Sequence, residues 1–212
     1  DQLYTLDDMA SDVLHLLSAY RIRHAHIIGM SMGGAIAQLV AIKEPEKVSS
    51  LALLMSTSVR GIWDKSMPPP SQRVLDSIEK EYIYYMNGEI CEGLKLRYNT
   101  LAFPEKISDR EINERIRRMM RHGFNPFSRH VHAFQTSPSR TRDFSNILCG
   151  TTIIHGTHDE LFRKEHAYNL YENLLNSSLH FVESGHFISE NTGSKVANII
   201  IDNISEVPKG LE

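Results

Sequence analysis

The sequence predicts an α/β protein: a parallel sheet flanked by helices, with a helical segment inserted between two of its strands. Short apolar runs alternate with amphipathic helical patterns at both ends of the chain, which is typical of βαβ units. Between about residues 59 and 144, helical patterns follow one another without a strong strand pattern. The 212 residues are 41% hydrophobic and 23% charged, with a net charge of -3, so the chain is long and apolar enough for one sizeable core.

Apolar spacing and turn residues define the elements of the first third. Thr5 is a candidate N-cap, and the helix that follows has one apolar face at helical spacing through about residue 19. The residues of that face are Leu6, Met9, Val13, Leu16, Leu17 and Tyr20. Strands are predicted over 25–28 and 48–55, and a helix over 32–43 that ends before Pro45, because the residue before a proline leaves helical geometry. These elements make a right-handed βαβ unit.

The middle of the chain is predicted to be a helical insertion over residues 59–144, while 1–58 and 145–207 form the sheet domain. The predicted helices span 71–86, 89–99, 109–121 and 128–135. Ser108 and Glu111 form a candidate capping box for the third of them. Arginines cluster late in that helix, but the chain as a whole is not basic, which favours a solvated helix face. We therefore expect no nucleic-acid partner.

The last third returns to the alternating pattern. Strands are expected over 151–155 and 179–182, and helices over 161–175 and 192–204. In parallel α/β sheets the reacting groups gather beyond the carboxyl ends of the strands. Ser31, Asp159 and His186 each follow directly after a predicted strand. The topology therefore predicts that these three side chains meet at one end of the sheet.

Ser31 lies in the motif G-x-S-x-G, which residues 29–33 form between a strand and a helix. In that setting the serine occupies a strained turn that holds its hydroxyl above the sheet. A side chain at Gly29 or Gly33 is expected to collide with the neighbouring backbone or block the turn. A serine nucleophile needs a base to take its proton and a third group to orient that base. His186 is the candidate base and Asp159 the candidate orienting acid, in the chain order serine, acid, histidine.

Several alternatives stay open at this point, among them a glycine-rich loop with no chemistry. Glu160 could replace Asp159, although its one-residue offset should aim it elsewhere. His155 and His158 share the loop of the proposed acid, which favours a structural or pocket-lining role. His130 and His132 lack a carboxylate at metal-ligand spacing, and no H-E-x-x-H occurs. We expect no metal and no other cofactor.

These motifs resemble the α/β-hydrolase superfamily. The resemblance rests on Gly-Met-Ser-Met-Gly-Gly at 29–34, Pro-Glu-x-Val at 45–48, His-Gly-Thr-His-Asp at 155–159 and Gly-His-Phe at 185–187. It is closer to small bacterial esterases and lactonases similar to aclacinomycin methylesterase and 3-oxoadipate enol-lactonase. It implies that Ser31 is the nucleophile, Asp159 the acid and His186 the base. The Met32 backbone N–H would be one oxyanion donor, the insertion would cover the substrate as a cap, and Met30 and Trp63 are candidate substrate contacts.

The resemblance also implies a serine hydrolase that cleaves a small carboxylic ester, lactone or thioester through an acyl-enzyme. The alternative is a ligand-binding protein that keeps this fold without catalysis, or a truncated inactive form. Superfamily members normally have further strands before the point where this sequence begins, and the loop that donates the second oxyanion N–H is among the preceding segments. We therefore expect an N-terminally incomplete fold whose strand 25–28 exposes an apolar edge. Further chain or a homodimer would cover that edge.

Two features of the sequence predict the cellular compartment and whether the chain crosses a membrane. Cys91 and Cys149 lie far apart and form no disulfide framework, which favours a reducing, cytoplasmic compartment. No run of 18 apolar residues occurs, so we expect no membrane span and no membrane partner.

Overall fold

The computed structural model describes residues 4–62, 64–121, 123 and 125–205, and within these only the backbone of 125–128 and 205. Four parallel strands form one sheet in the order β1-β2-β3-β4. The strands are β1 Ala25–Met30, β2 Val48–Leu54, β3 Gly150–Gly156 and β4 Ser177–Val182. The predicted α/β class is therefore confirmed, with each predicted strand present.

Helices flank the sheet and fill the long connection between β2 and β3. They are α1 Leu6–Ala19, α2 Met32–Lys43, α3 Gln72–Met86, α4 Ile90–Ala102, α5 Asp109–Met120, α6 Asn125–Thr136, α7 Lys164–Asn173 and α8 Glu190–Ser205. Helices α3 to α6 lie between β2 and β3 in the chain, and we call them the inserted helices. They fall where the sequence predicts a helical insertion.

The core lies on both faces of the sheet. Leu51 and Leu53 of β2 and Ile153 of β3 pack with residues of α1, α2 and α7. Ala52 and Ile154, one position along each strand, pack against α8 on the opposite face. This alternation explains why β2 is an almost unbroken apolar run, as is typical of a strand that is buried on both faces.

Helix α1 begins as predicted, but its buried face is displaced. Thr5 is the N-cap, and a reciprocal capping box joins it to Asp8. Leu16 and Tyr20, predicted to be buried, are 57% and 71% exposed. The buried stripe includes Leu14 instead, because the residues that share the core cluster with α2 lie on that side of the helix. Apolar spacing alone does not tell which side of a broad stripe faces the core.

The start of α7 and the capping of α5 differ from their sequence predictions. Helix α7 begins at Lys164, later than predicted, because the N–H groups of Leu161 and Phe162 donate to the Asp159 carboxylate. In α5 the Glu111 N–H donates to the Ser108 hydroxyl as expected. The Glu111 carboxylate, however, binds Arg115 at 2.6 Å rather than the backbone of the cap. Hydrogen bonds and ion pairs of nearby side chains therefore determine where α7 begins and how α5 is capped.

Strand β1 is the edge of the described sheet. Among the described residues it pairs with β2 alone, and the Ile28 side chain on it is exposed. The expected apolar edge is thus present within the part of the chain that the structure describes.

Two features of the structure concern the cysteines and the possibility of a membrane span. Cys91 and Cys149 are free thiols, in agreement with the prediction that they form no disulfide. None of the helices in the described ranges is long and apolar enough to cross a membrane. The cytoplasmic location stays a prediction.

Candidate active site

Ser31 stands in a strained turn between β1 and α2. Its φ is 54° and its ψ -121°, a backbone conformation that is costly for a residue with a side chain. The Ser31 N–H donates to the Leu54 carbonyl at 2.8 Å, and the Ser31 carbonyl accepts from the Gly34 N–H and the Ser56 hydroxyl. Neighbouring backbone on both sides therefore holds the turn that presents the Ser31 hydroxyl at the end of β1.

The glycines around Ser31 do not all serve the turn in the way the sequence predicts. A Cβ at Gly29 would lie under 3.0 Å from the Gly33 carbonyl, and one at Gly34 equally close to the Ser56 side chain. At Gly33 itself, nothing lies within 4 Å of such a Cβ. The expectation is correct for Gly29 and wrong for Gly33. The second glycine with no room for a side chain is Gly34, because the first turn of α2 presses it against the segment after β2.

This difference predicts opposite outcomes for two alanine variants. We expect Gly29→Ala to lower the free energy of unfolding by about 2 kcal/mol or more, because the clash is with backbone that cannot rotate away. Gly33→Ala should be neutral or raise it by up to about 1 kcal/mol, since alanine favours helix. Urea unfolding of both variants measures the difference, and equal losses would contradict the proposed packing.

The structure brings Ser31, Asp159 and His186 together. The His186 Nε2 lies 3.0 Å from the Ser31 Oγ, and its Nδ1 lies 2.8 Å from the Asp159 Oδ2. Asp159 follows β3 and His186 follows β4, as the topology predicts. In this geometry the imidazole can accept the serine proton on one nitrogen while the carboxylate holds the proton of the other.

The environment of Asp159 keeps it ionised. Burial by itself would raise the pKa of this carboxyl, but the facing imidazoles and the hydrogen bonds outweigh burial, so the pKa lies below its ordinary value. Its Oδ1 accepts from the N–H groups of Leu161 and Phe162, each at 2.9 Å. The carboxylate is thus placed to accept from the His186 Nδ1–H, and in that tautomer Nε2 is the acceptor directed at Ser31.

The competing residues point elsewhere. The Glu160 carboxylate accepts from the Ser71 hydroxyl at 2.6 Å and from Arg73 at 2.9 Å, at the start of α3. The buried His155 donates from Nε2 to the Phe162 carbonyl at 2.7 Å, and the same nitrogen lies 3.6 Å from the Asp159 Oδ2, so its contacts are with the loop of the acid rather than with Ser31. His158 binds Glu183 at the surface. Within the described ranges, no cluster of three or more metal-ligating side chains occurs.

Two buried histidines make stability depend on pH. Burial lowers the pKa of His155 and of His166 from the ordinary 6.5. Between that value and the lower folded pKa, the unfolded chain binds protons that the folded chain does not, so stability falls as the pH falls. We expect a loss of up to about 1.4 kcal/mol per pH unit for each histidine. Urea unfolding at pH 7.5 and 5.5 checks this, and an unchanged free energy would contradict it.

A cavity of about 320 Å³ lies between Ser31 and the inserted helices. Its described lining is Ser31, Met32, Ile62, Val74, Ser77, Ile78, Glu81, Arg97, Thr100, Leu101, His130, Val131, Phe134, Gln135, Leu161 and Phe162. Most of these come from α3, α4 and α6, and most are apolar. A cavity that touches both a reactive hydroxyl and a cover of helices is suited to a small organic ligand.

One wall of the cavity is polar, a feature that was not predicted from the sequence. The Ser77 and Thr100 hydroxyls lie 2.8 Å apart, and Glu81 pairs with Arg97 at 2.5 Å. A signal was present in the sequence: Ser77 and Glu81 follow Val74 at helical spacing, so a carboxylate interrupts the inward face of α3. Its partner on α4 could not be found without the packing of the two helices.

The predicted oxyanion donor, Met32, and the two predicted substrate contacts, Met30 and Trp63, have different outcomes. Met32 lines the cavity next to Ser31. Met30 does not belong to the described lining, because strand alternation turns it toward the cluster of Leu54 and Met55. Trp63 lies outside the described residues.

The comparison with protein families agrees with this architecture. Residues 1–191 match the model of the alpha/beta hydrolase fold. The chain belongs to the alpha/beta hydrolase family.

Individual relatives differ in how much of this chain they match. Rhodomycin D methylesterase DnrP of Streptomyces peucetius is 33% identical over an alignment of 86 positions, gaps included, that covers 34% of this chain and 29% of that protein. The 2-hydroxymuconate semialdehyde hydrolase of Pseudomonas sp. strain CF600 is 25% identical over 97% of this chain and 71% of its own length. The alignments thus span only part of these relatives, under a third in the first case.

Solved structures share the fold. The esterase EaEST of Exiguobacterium antarcticum superposes with a TM-score of 0.80 at 20% identity, over 97% of this chain and 75% of its own. The enol-lactonase of Burkholderia xenovorans LB400 gives a TM-score of 0.70 at 18% identity, over 96% and 74%.

Proposed function

We propose that the protein is a serine hydrolase that cleaves a small carboxylic ester, lactone or thioester, with Ser31 as nucleophile. The observation that supports this most directly is the chain of contacts from the Ser31 Oγ through His186 to Asp159, at 3.0 and 2.8 Å. A strained serine turn and an ionised acid fit the same chemistry, since both prepare the hydroxyl to lose its proton.

The proposed reaction has two halves. In the first, the Ser31 Oγ bonds to the substrate carbonyl carbon while its proton moves to the His186 Nε2. The tetrahedral intermediate then expels the alcohol or thiol, which leaves with that proton, and an acyl-serine remains. In the second half, a water molecule gives a proton to the His186 Nε2 and attacks the acyl carbon. The acid is released as the Ser31 oxygen takes the proton back.

The Met32 N–H is the proposed donor to the oxyanion of each intermediate. It follows directly after Ser31 at the N-terminus of α2, where the helix dipole favours negative charge. The inserted helices would act as the cap, since they provide most of the cavity lining.

The size of the cavity and the relatives together suggest the substrate class. About 320 Å³ is at the small end for ligand pockets, which favours a compact substrate over a long acyl chain. A methylesterase and an enol-lactonase are among the similar proteins, and both act on ester bonds by name. An ester or lactone is therefore the preferred substrate class.

Covalent labelling of Ser31 tests the proposal. We expect a fluorophosphonate probe to add once to the protein, at Ser31, and Ser31→Ala to remove both the adduct and the hydrolysis of p-nitrophenyl acetate. Removal of one half-buried hydroxyl that has a single hydrogen-bond partner should change the free energy of unfolding by about 1 kcal/mol or less. Peptide mapping by mass spectrometry locates the adduct. A folded protein with no adduct would favour the ligand-binding alternative.

A further inference from the structure

The loop that carries His186 lies between two supports. On the sheet side, the His158 N–H donates to the Ser184 carbonyl at 3.0 Å. Gly156 also approaches so closely that a Cβ there would lie under 3.0 Å from the Gly185 carbonyl. This side joins the loop to the segment that holds Asp159. Only the part of the loop before His186 is held in this way.

The part of the loop after His186 is held by the inserted helices, residue by residue. The Phe187 N–H donates to the Leu101 carbonyl at 3.1 Å. The Ile188 carbonyl accepts from the Arg115 Nη2 at 2.7 Å. The Ser189 hydroxyl donates to the Glu105 carboxylate at 2.8 Å. Consecutive residues thus bind α4, α5 and the connection between these two helices.

Side-chain packing strengthens the same contact. The Phe187 ring lies 4.9 Å from the Tyr98 ring, centroid to centroid, and packs against the cluster that α4 and α5 form with each other. At Gly185, a Cβ would lie under 3.0 Å from the Phe103 carbonyl, so the backbones on the two sides touch. The residues on both sides of His186 are therefore in contact with the inserted helices.

Arg115 contributes a charged hydrogen-bond donor to this interface. Its guanidinium is paired with Glu111 one turn back in α5, at 2.6 Å. This pair holds the guanidinium in the orientation in which it donates to the Ile188 carbonyl. Its side chain is only 28% exposed, and it lies 5.9 Å from the Phe187 ring centroid. A charged donor to a carbonyl in such a setting is stronger than a neutral one. Arg115 is not part of the described cavity lining.

We propose that Arg115 is a positioning residue, which fixes the loop carrying His186 and so aligns the imidazole with Ser31. The proposal rests on the proposed function of Ser31 and His186. Leu101 both lines the cavity and holds the Phe187 N–H. The segment that contacts the substrate is thus the segment that supports the base.

Arg118 provides a matched control. It lies on the same helix and forms the same i,i+4 pair, with Glu114, but its side chain is 68% exposed. Arg118→Ala removes an equal charge and an equal type of ion pair. It does so away from the His186 loop.

The first test separates kcat from KM with p-nitrophenyl acetate as substrate. We expect Arg115→Ala to lower kcat roughly tenfold to a hundredfold with KM nearly unchanged, because the base is displaced while the cavity stays intact. Arg115→Lys should recover part of kcat, since an ammonium can still donate to the Ile188 carbonyl. Arg118→Ala should match the original. A kcat for Arg115→Ala within about twofold of the Arg118→Ala value would overturn the proposal.

The second test needs no activity. Hydrogen exchange of the amides in 183–192, followed by mass spectrometry, should be faster in Arg115→Ala than in Arg118→Ala, while the peptides of β2 and β3 stay protected. Equal exchange in the two variants would overturn the positioning role. If the fluorophosphonate probe fails to label Ser31, the proposed function fails. Faster exchange would then still support the hold of Arg115 on the loop.

Discussion

Asp159→Asn is expected to lower turnover by about 10³- to 10⁴-fold without unfolding the protein. The reason lies in the two N–H groups, of Leu161 and Phe162, that donate to Oδ1. These donors keep the amide oxygen of an asparagine on their side, so its NH₂ group faces the His186 Nδ1. A donor there forces Nδ1 to be the acceptor and places the proton on Nε2. The imidazole then offers Ser31 a proton instead of accepting one.

Glu160→Gln is the matched control, because it makes the same chemical change one residue along the chain. The Glu160 carboxylate binds Ser71 and Arg73 rather than His186, so kcat should stay within about threefold of the original. Rates of p-nitrophenyl acetate hydrolysis and of Ser31 labelling measure both variants. A large loss in Glu160→Gln with little change in Asp159→Asn would assign the acid to Glu160 instead.

The parts of the site that could be predicted are those that depend on local sequence. Ser31, Asp159 and His186 each follow a short apolar strand, and parallel strands bring their carboxyl ends to one side of the sheet. The start of α1 at Thr5 and the bounds of α2, Met32–Lys43, follow from caps and from Pro45 in the same local way. No knowledge of distant contacts is needed for these predictions.

The rest depends on contacts between segments that are far apart in the chain. Gly34, rather than Gly33, needs to be glycine because Ser56 packs against it. The polar cavity wall exists because Glu81 on α3 meets Arg97 on α4. Helical spacing shows that residues share a face, but it does not show what that face meets. The polar wall of the cavity and the support of the His186 loop could therefore not be predicted from the sequence.

Arg140 is a second case of a residue whose role only the fold reveals. Its side chain is 2% exposed and donates to the Gln38 side chain and to the carbonyls of Thr57, Val59 and Pro138. Burial lowers the pKa of its guanidinium to about 10, so the group stays charged at neutral pH. The direction of that shift means that burying the charge costs free energy. The stabilisation comes from the hydrogen bonds, which join the two ends of the inserted segment.

Arg140→Ala is expected to lower the free energy of unfolding by about 3–5 kcal/mol. The loss has two sources: buried carbonyls such as that of Val59 are left without their donor, and a cavity remains where the side chain was. Arg140→Lys should lose less, because an ammonium keeps the charge but cannot reproduce the planar fork of donors. Arg142→Ala removes an exposed arginine from the same segment and should change stability by less than about 0.5 kcal/mol. Urea unfolding compares the three variants. If Arg140→Ala were as stable as Arg142→Ala, the Arg140 side chain would not be needed to hold the two ends together, and the backbone bond from the Arg140 N–H to the Ser58 carbonyl and the apolar contacts would suffice.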